Sequence, residues 1–354
     1  MAKVLIKGNE AVAEAAIRSG CRYYFGYPIT PQTEIAEYMA KTMPKVGGLC
    51  LQAESEVAAI NMVYGAAASG VRVMTSSSSP GVSLKSEGVS YIVGCDLPCV
   101  ILNVQRGGPG LGGIQPSQAD YYQATKALGH GDMQLFVLAP SSVQEMAALT
   151  SDAFTIADKY RMPVLILADG ALGQMMEPVD FDSIRFTEPP EKPWAANGHG
   201  GKREKNIITS LYLKPEELED TVLKRAEKYR IINENEVRYE DYLCDDADIV
   251  IVSFGITARI SKAAVNEARK NGVKAGLLRP ITLSPFPSKK LRALADTASS
   301  FLSVELNMGQ MVNDVRLATE CRKPVSFYGR TGGSMPSSDD VLSEIMKIYG
   351  GLKK

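Results

Sequence analysis

Two carboxylates, Glu54 and Glu56, stand in the stretch Gln52-Ala53-Glu54-Ser55-Glu56-Val57-Ala58-Ala59, where a short apolar run gives way to a helical pattern. Acids favour a helix N-terminus through the peptide dipole, and Ser55 is a good cap, so local structure alone accounts for both. The residues that follow add something. Val57, Ala58, Ala59, Ile60, Met62, Val63, Ala66 and Ala67 make the helix apolar nearly all round, which predicts burial. A carboxylate opening a buried helix has its pKa raised unless it meets a donor, and such a group is poised for proton exchange.

Arg106 stands at the end of another apolar run, 99–104, just before the loop Gly107-Gly108-Pro109-Gly110-Leu111-Gly112-Gly113. Its fork suits the two oxygens of a carboxylate; the alternative is a structural ion pair. Gly108, Gly110 and Gly113 have G-x-G-x-x-G spacing, but a dinucleotide site needs a helix to open inside the motif, and Pro116 argues against one. Ser76-Ser77-Ser78-Ser79-Pro80-Gly81 is a hydroxyl-rich turn that caps a helix or lines a cofactor pocket. In Gly26-Tyr27-Pro28-Ile29-Thr30-Pro31 two prolines bracket a hydroxyl, so the loop is stiff and presents Tyr27 and Thr30. Pro31 sits where the next helix begins.

These residues need a scaffold that brings strand ends together. From residue 4 to about 169, short apolar runs alternate with amphipathic stretches. Strands are expected at 22–25, 49–52, 71–75, 99–104, 135–138 and 164–167, with Asn9 capping a first helix. This alternation predicts a doubly wound, largely parallel sheet over 1–177, with ligands at its C-terminal edge. Residues 178–245 read as a proline- and glycine-rich linker with one charged helix from 215 to about 236, whose apolar stripe is Leu218, Val222, Ala226 and Tyr229. Residues 246–354 alternate again and form a second doubly wound α/β unit.

Composition excludes some functions. Lys and Arg number 39 against 40 Asp and Glu, for a net charge of −1, so no basic field calls for nucleic acid or an anionic membrane. No stretch is long enough to span a bilayer, and the N-terminus lacks the apolar core of a signal peptide. The six cysteines include no Cys-x-x-Cys, and two scattered histidines make no metal site; reduced, mostly buried thiols in the cytoplasm are expected.

Taken together, Gly26-Tyr-Pro-Ile-Thr-Pro31, Gln52-Ala-Glu-Ser-Glu-Val-Ala-Ala59, Thr75-Ser-Ser-Ser-Ser-Pro-Gly81 and Asn103-Val-Gln-Arg-Gly-Gly-Pro109 resemble the α subunit of thiamine-diphosphate-dependent 2-oxoacid:ferredoxin oxidoreductases. Gly255-Ile-Thr-Ala-Arg259, Leu278-Arg-Pro-Ile-Thr-Leu-Ser-Pro-Phe286 and Val304-Glu-Leu-Asn-Met-Gly-Gln310 resemble that subunit's transketolase-C-terminal-like domain. The first unit would then be the pyrimidine-binding domain. The resemblance implies that Glu56 hydrogen-bonds the aminopyrimidine ring of thiamine diphosphate and promotes its ionisation. It implies that Tyr27, Thr30, Ser77 and Ser78 line the cofactor and substrate pocket, and that Arg106 binds the substrate carboxylate. The loop around Leu111 is most similar to the 2-oxoisovalerate, or branched-chain, type, in which an apolar lining suits an isopropyl group. An enzyme acting on 2-oxoglutarate or another 2-oxoacid, and a non-catalytic scaffold subunit, are the alternatives. Neither the Gly-Asp-Gly diphosphate and Mg2+ motif nor a cluster-binding cysteine run is present. The resemblance therefore implies a hetero-oligomer: a β subunit carrying the diphosphate and Mg2+ site, a γ-type subunit and a ferredoxin-like iron-sulfur subunit, with coenzyme A taking the acyl group.

Overall fold

The computed structural model describes residues 3–353. The first sheet has seven strands in the order Thr282–Ser284, Phe136–Leu138, Pro163–Asp169, Cys99–Gln105, Val73–Ser77, Tyr23–Gly26 and Leu49–Gln52. All but Thr282–Ser284 run parallel. The central strands Val73–Ser77, Cys99–Gln105 and Pro163–Asp169 are buried at every position, as a parallel sheet covered on both faces requires. Successive side chains on a strand point to opposite faces. Val100, Leu102 and Val104 accordingly pack with the helices Gly8–Arg18, Thr33–Thr42 and Val143–Tyr160, while Cys99 and Ile101 pack with Glu56–Ala68 and Ser86–Gly94.

The second sheet has five strands in the order Val325–Gly329, Ser300–Glu305, Ile249–Val252, Ala275–Pro280 and Tyr239–Tyr242, with only Tyr239–Tyr242 antiparallel to its neighbour. Val4–Lys7 and Met176–Val179 form an antiparallel pair. The structure divides the chain differently from the sequence reading. Met176–Val179 straddles the expected boundary at 177. Tyr239–Tyr242, expected in the linker, is an edge strand of the second sheet. Thr282–Ser284, from within 246–354, crosses over to extend the first. Tyr239–Tyr242 carries Glu240 and Asp241 at its centre and Thr282–Ser284 is only three residues long, so neither has the apolar run that marks a buried strand in a sequence. One apolar cluster also joins Phe25, Ile101 and Leu165 to Val250, Leu278 and Phe301, so the two sheets share a core.

Two further expectations are corrected. Asn9 does not cap the first helix but lies inside Gly8–Arg18; its fully buried amide donates to the Pro31 carbonyl and to Glu34 Oε2, both at 2.8 Å. Of the stripe on the charged helix Pro215–Asn235, only Tyr229 is buried, joined by Ile232. The helix docks by charge instead. Arg225 Nη2 donates to the Gly94 carbonyl at 3.0 Å and Lys228 Nζ to the Arg161 carbonyl at 3.3 Å. Those carbonyls lie at the C-terminal ends of Ser86–Gly94 and Val143–Tyr160, where the helix dipole is negative and cations are favoured.

Candidate functional site

The parallel strands of the first sheet end on one edge, and the loops leaving that edge carry the residues the sequence singles out. Arg106 follows Cys99–Gln105. Ser77 ends Val73–Ser77, and Ser78 comes next. Tyr27 and Thr30 follow Tyr23–Gly26, and Glu56 follows Leu49–Gln52. These four strands are adjacent in that order. The chain runs out from Tyr23–Gly26 to Leu49–Gln52 on one side and returns to Val73–Ser77 on the other. Such a reversal opens a crevice at the strand ends, where α/β sheets bind ligands.

Glu56 is the first residue of the helix Glu56–Ala68, and Ser55 Oγ caps it by accepting from the Ala58 amide at 3.1 Å. Glu56 is 6% exposed. A Cβ added to Gly81 would stand 2.4 Å from Glu56 Oε1 and 2.3 Å from Ser77 Oγ, so glycine alone lets turn, carboxylate and hydroxyl close on one another. The helix is not buried all round as expected. Ala59, Ile60, Val63 and Ala67 are inside, whereas Val57 is 46% exposed. Composition counts apolar residues without telling which face the chain itself covers.

Ser77 and Ser78 are fully buried, and neither hydroxyl has a partner among the described residues. Ser79 has φ 27° and ψ −86°, a conformation costly for a residue with a side chain. It is held on several sides. Ser79 Oγ donates to Asp120 Oδ2 at 2.6 Å and accepts from the Arg106 amide at 3.0 Å, and its own amide donates to Asn103 Oδ1 at 3.1 Å. Asn103 Nδ2 in turn reaches Asp120 Oδ2 at 3.0 Å. Burial pushes the Asp120 carboxyl up, while Ser79, Asn103 and the field of Arg106 pull it back. Asp120 escaped the sequence reading; the signal that points to this network is Asn103, a polar residue inside an apolar strand.

The Arg106 guanidinium donates from Nη1 to the Thr30 carbonyl at 2.9 Å and from Nη2 to the Leu111 carbonyl at 3.2 Å, so three expected site residues are tied into one cluster. It forms no ion pair among the described residues, and its buried Nε has no partner. Leu111 is 85% exposed and Tyr27 38%. The glycine loop folds back on itself, with Gly107 N donating to Gln115 O at 3.0 Å and Gly113 N to Gly107 O at 2.9 Å. No helix opens within 107–116, which removes the dinucleotide reading. Below the Tyr27–Pro31 loop, Tyr24 Oη meets Ser76 Oγ at 2.7 Å and Ser76 Oγ donates to Gln32 Oε1 at 2.5 Å, leaving Gln32 Nε2 buried and unpartnered.

Gln32 Nε2, Ser77 Oγ, Ser78 Oγ and Arg106 Nε are thus four buried polar atoms without partners, all at the same sheet edge as Glu56. An unpaired buried polar group costs about 1–3 kcal/mol, so native proteins leave few of them. Ser77 Oγ lies beside Glu56 across Gly81, while Gln32 is reached through Ser76 on the other face of the strand, so the sheet edge as a whole offers free donors and acceptors to a compact polar ligand.

Comparison with known proteins identifies the family. The family model for pyruvate flavodoxin/ferredoxin oxidoreductase, thiamine-diphosphate-binding, matches residues 14–240, and that for pyruvate:ferredoxin oxidoreductase core domain II matches 247–341. A ketoisovalerate oxidoreductase subunit VorB of Methanothermobacter marburgensis is 52% identical over 99% of this chain and 99% of its own. A 2-oxoglutarate synthase subunit KorA of Methanothermobacter thermautotrophicus is 36% identical over 97% of this chain and 98% of its own. The solved structure of 2-oxoglutarate:ferredoxin oxidoreductase from Magnetococcus marinus superposes with a TM-score of 0.88 at 26% identity, over 98% of this chain and 65% of that longer one. A split-gene transketolase shares the fold at a TM-score of 0.63 and 16% identity, over 97% of each chain. With matches of this extent, the chain belongs to the 2-oxoacid:ferredoxin oxidoreductases, as a subunit bearing their thiamine-diphosphate-binding region.

Proposed function

We propose that this chain is the subunit of a 2-oxoisovalerate:ferredoxin oxidoreductase that supplies the catalytic carboxylate and the substrate clamp. The complex converts a branched-chain 2-oxoacid and coenzyme A to acyl-CoA and CO2 and passes electrons to ferredoxin. The observation that carries this reading is the pair of buried, unpartnered hydroxyls, Ser77 and Ser78, at the turn that closes on Glu56. It fits an aminopyrimidine, a flat ring offering donors and acceptors. When bound, thiamine diphosphate supplies the carbon nucleophile and electron sink for cleavage between a 2-oxo carbon and its carboxylate. Glu56 holds the pyrimidine and exchanges a proton with it, and the Ser77 and Ser78 hydroxyls complete the pocket beside Tyr27. Arg106, with a buried N–H to spare, takes the substrate carboxylate. Thr30 is held beside it by the Arg106 bond to its carbonyl. Leu111 presents an apolar side chain to the isopropyl end.

The diphosphate and Mg2+ belong on a β subunit, and iron-sulfur clusters on a ferredoxin-like partner accompanied by a γ-type subunit. Uncovered apolar side chains at Leu49, Leu51 and Val57, beside Glu56, support a partner seated there. We assign the first sheet to the pyrimidine-binding unit and the second to the transketolase-C-terminal-like unit that backs it. Nothing in the composition calls for a membrane, and among the described residues no helix is long and apolar enough to cross one.

Reconstitution with partner subunits and turnover on 2-oxoisovalerate, 2-oxoglutarate and pyruvate tests the assignment; clear preference for 2-oxoglutarate would overturn the role given to Leu111. In the same complex Glu56→Gln should lower turnover by about 10²–10⁴-fold, the worth of a positioned proton-transfer group, with assembly intact. Undiminished turnover would favour a scaffold role. Arg106→Lys loses the fork and should raise the KM for the 2-oxoacid at least ~10-fold.

A further inference from the structure

Lys85 takes no part in the scheme above, yet it is fully buried and ranks with Tyr24 and Tyr121 among the largest side chains sealed in the fold. Lysine is almost never buried unpaired, because its ammonium loses water that the interior does not replace. Here Nζ donates to Thr75 Oγ1 at 3.0 Å, a neutral hydroxyl, and makes no direct ion pair among the described residues. An ammonium has three donors, so this one bond leaves two unused. Burial pushes the group down to about 8, while the fields of Glu56 and then of Cys99 push the other way. Three elements supply these neighbours: the helix Glu56–Ala68, the strand Val73–Ser77 with Thr75, and the strand Cys99–Gln105. Burial pushes the Cys99 thiol up to about 12, which keeps it neutral. Thr75 and Ser77 are alternate residues of one strand, so their side chains share a face; Lys85 is held by the first and Glu56 lies beside the second across Gly81, which makes Glu56 the anion facing Lys85. A methionine would fill the same volume without a charge to desolvate, and such replacements are often neutral or stabilising. The charge of Lys85 is what packing leaves unexplained.

We propose that Lys85 is a positioning residue for Glu56: a buried cation, anchored by Thr75, that faces the Glu56 carboxylate and fixes its place at the sheet edge. The proposal rests on the role given to Glu56 above.

Two measurements separate its failure from failure of that role. The first is a titration of the full chain labelled with 13C at the lysine ε-carbon, the Lys85 signal being identified by its loss in Lys85→Met. The expected midpoint is about 8 in the unaltered chain. Because coupling between two ionising groups is reciprocal, Glu56→Gln should lower it by about one pH unit. An unmoved midpoint overturns the pairing, whatever the enzyme does. The second is the pH dependence of kcat/KM in the reconstituted complex. Lys85→Met should lower the neutral-pH value about 10-fold and abolish the alkaline limb that Lys85 deprotonation produces. An unaltered profile overturns the positioning role. The large loss expected in Glu56→Gln reads the catalytic role of Glu56 separately.

Discussion

Gly81 shows what one absent side chain does for the site. An alanine there places a methyl carbon 2.4 Å from Glu56 Oε1 and 2.3 Å from Ser77 Oγ, far inside contact distance. Ser77 can rotate, since its hydroxyl has no partner to lose. Glu56 must move, because its backbone is fixed by the Ser55 cap and by the buried Ala59, Ile60 and Val63. Gly81→Ala should therefore cost a modest ~1–3 kcal/mol of stability. Activity of the reconstituted complex should fall at least ~100-fold, in line with the 1 Å tolerance of positioned groups. Denaturant unfolding and turnover measured on one preparation check this; equal loss in both would mean general damage. Glu56 and Arg106 were legible in the sequence because each stands where an apolar run stops, and strand ends are where such folds place chemistry. Lys85 and Asp120 were not. Each is a charged residue in an ordinary-looking polar stretch; Lys85 is set apart by its burial and Asp120 by its bonds to Ser79 and Asn103.

At the scale of elements, the turn after Val73–Ser77 depends on bonds from outside itself. Ser79 holds φ 27° because Asp120, Asn103 and the Arg106 backbone over-determine it. Ser79→Ala keeps the backbone cost and loses the hydroxyl bonds. Ser79→Gly loses the same bonds but relieves the backbone, so it should be the more stable variant by about 1 kcal/mol. Urea midpoints of the two variants decide this, and the reverse order would show that strain is not what the network opposes. The sequence revealed a hydroxyl-rich turn here but not its strain, because Asp120 reaches it from 41 residues away. The helix Pro215–Asn235 was legible as a helix and misread in its attachment. Periodicity describes an apolar stripe, whereas the fold uses Arg225 and Lys228 on the carbonyl ends of two other helices.

For the whole molecule, the decisive contacts lie between the sheets, and neither periodicity nor motif spacing displays them. Gln118, fully buried, donates from Nε2 to the Phe254 carbonyl at 2.8 Å; its Oε1 accepts from Thr257 Oγ1 at 3.1 Å and from the Leu306 amide at 3.0 Å. Beside it Asp169 caps Gly170–Gln174, with Oδ1 accepting from Ala171 and Leu172 amides at 2.9 and 3.0 Å, and also takes the Ile256 amide at the start of Gly255–Lys270. One carboxylate thus joins helix N-termini from both halves of the molecule. Burial nevertheless pushes it from 3.8 up to about 6, more than the Leu172, Ala171 and Ile256 amides pull it back. Because the folded value lies above the unfolded one, the stability Asp169 contributes is full below about pH 4 and is lost as pH rises through about 6. The loss is on the order of 3 kcal/mol. Asp169→Asn keeps an acceptor for Ala171 and Leu172 but cannot ionise, and its amide group faces the Ile256 N–H at a cost that does not vary with pH. The variant should therefore be less stable than the unaltered chain at pH 4 and recover most of that difference by pH 7. Urea unfolding of both chains at intervals across this range measures it. Curves that stay parallel from pH 4 to 7 would show that Asp169 remains ionised throughout, with the two helix N-termini outweighing burial at the junction of the sheets.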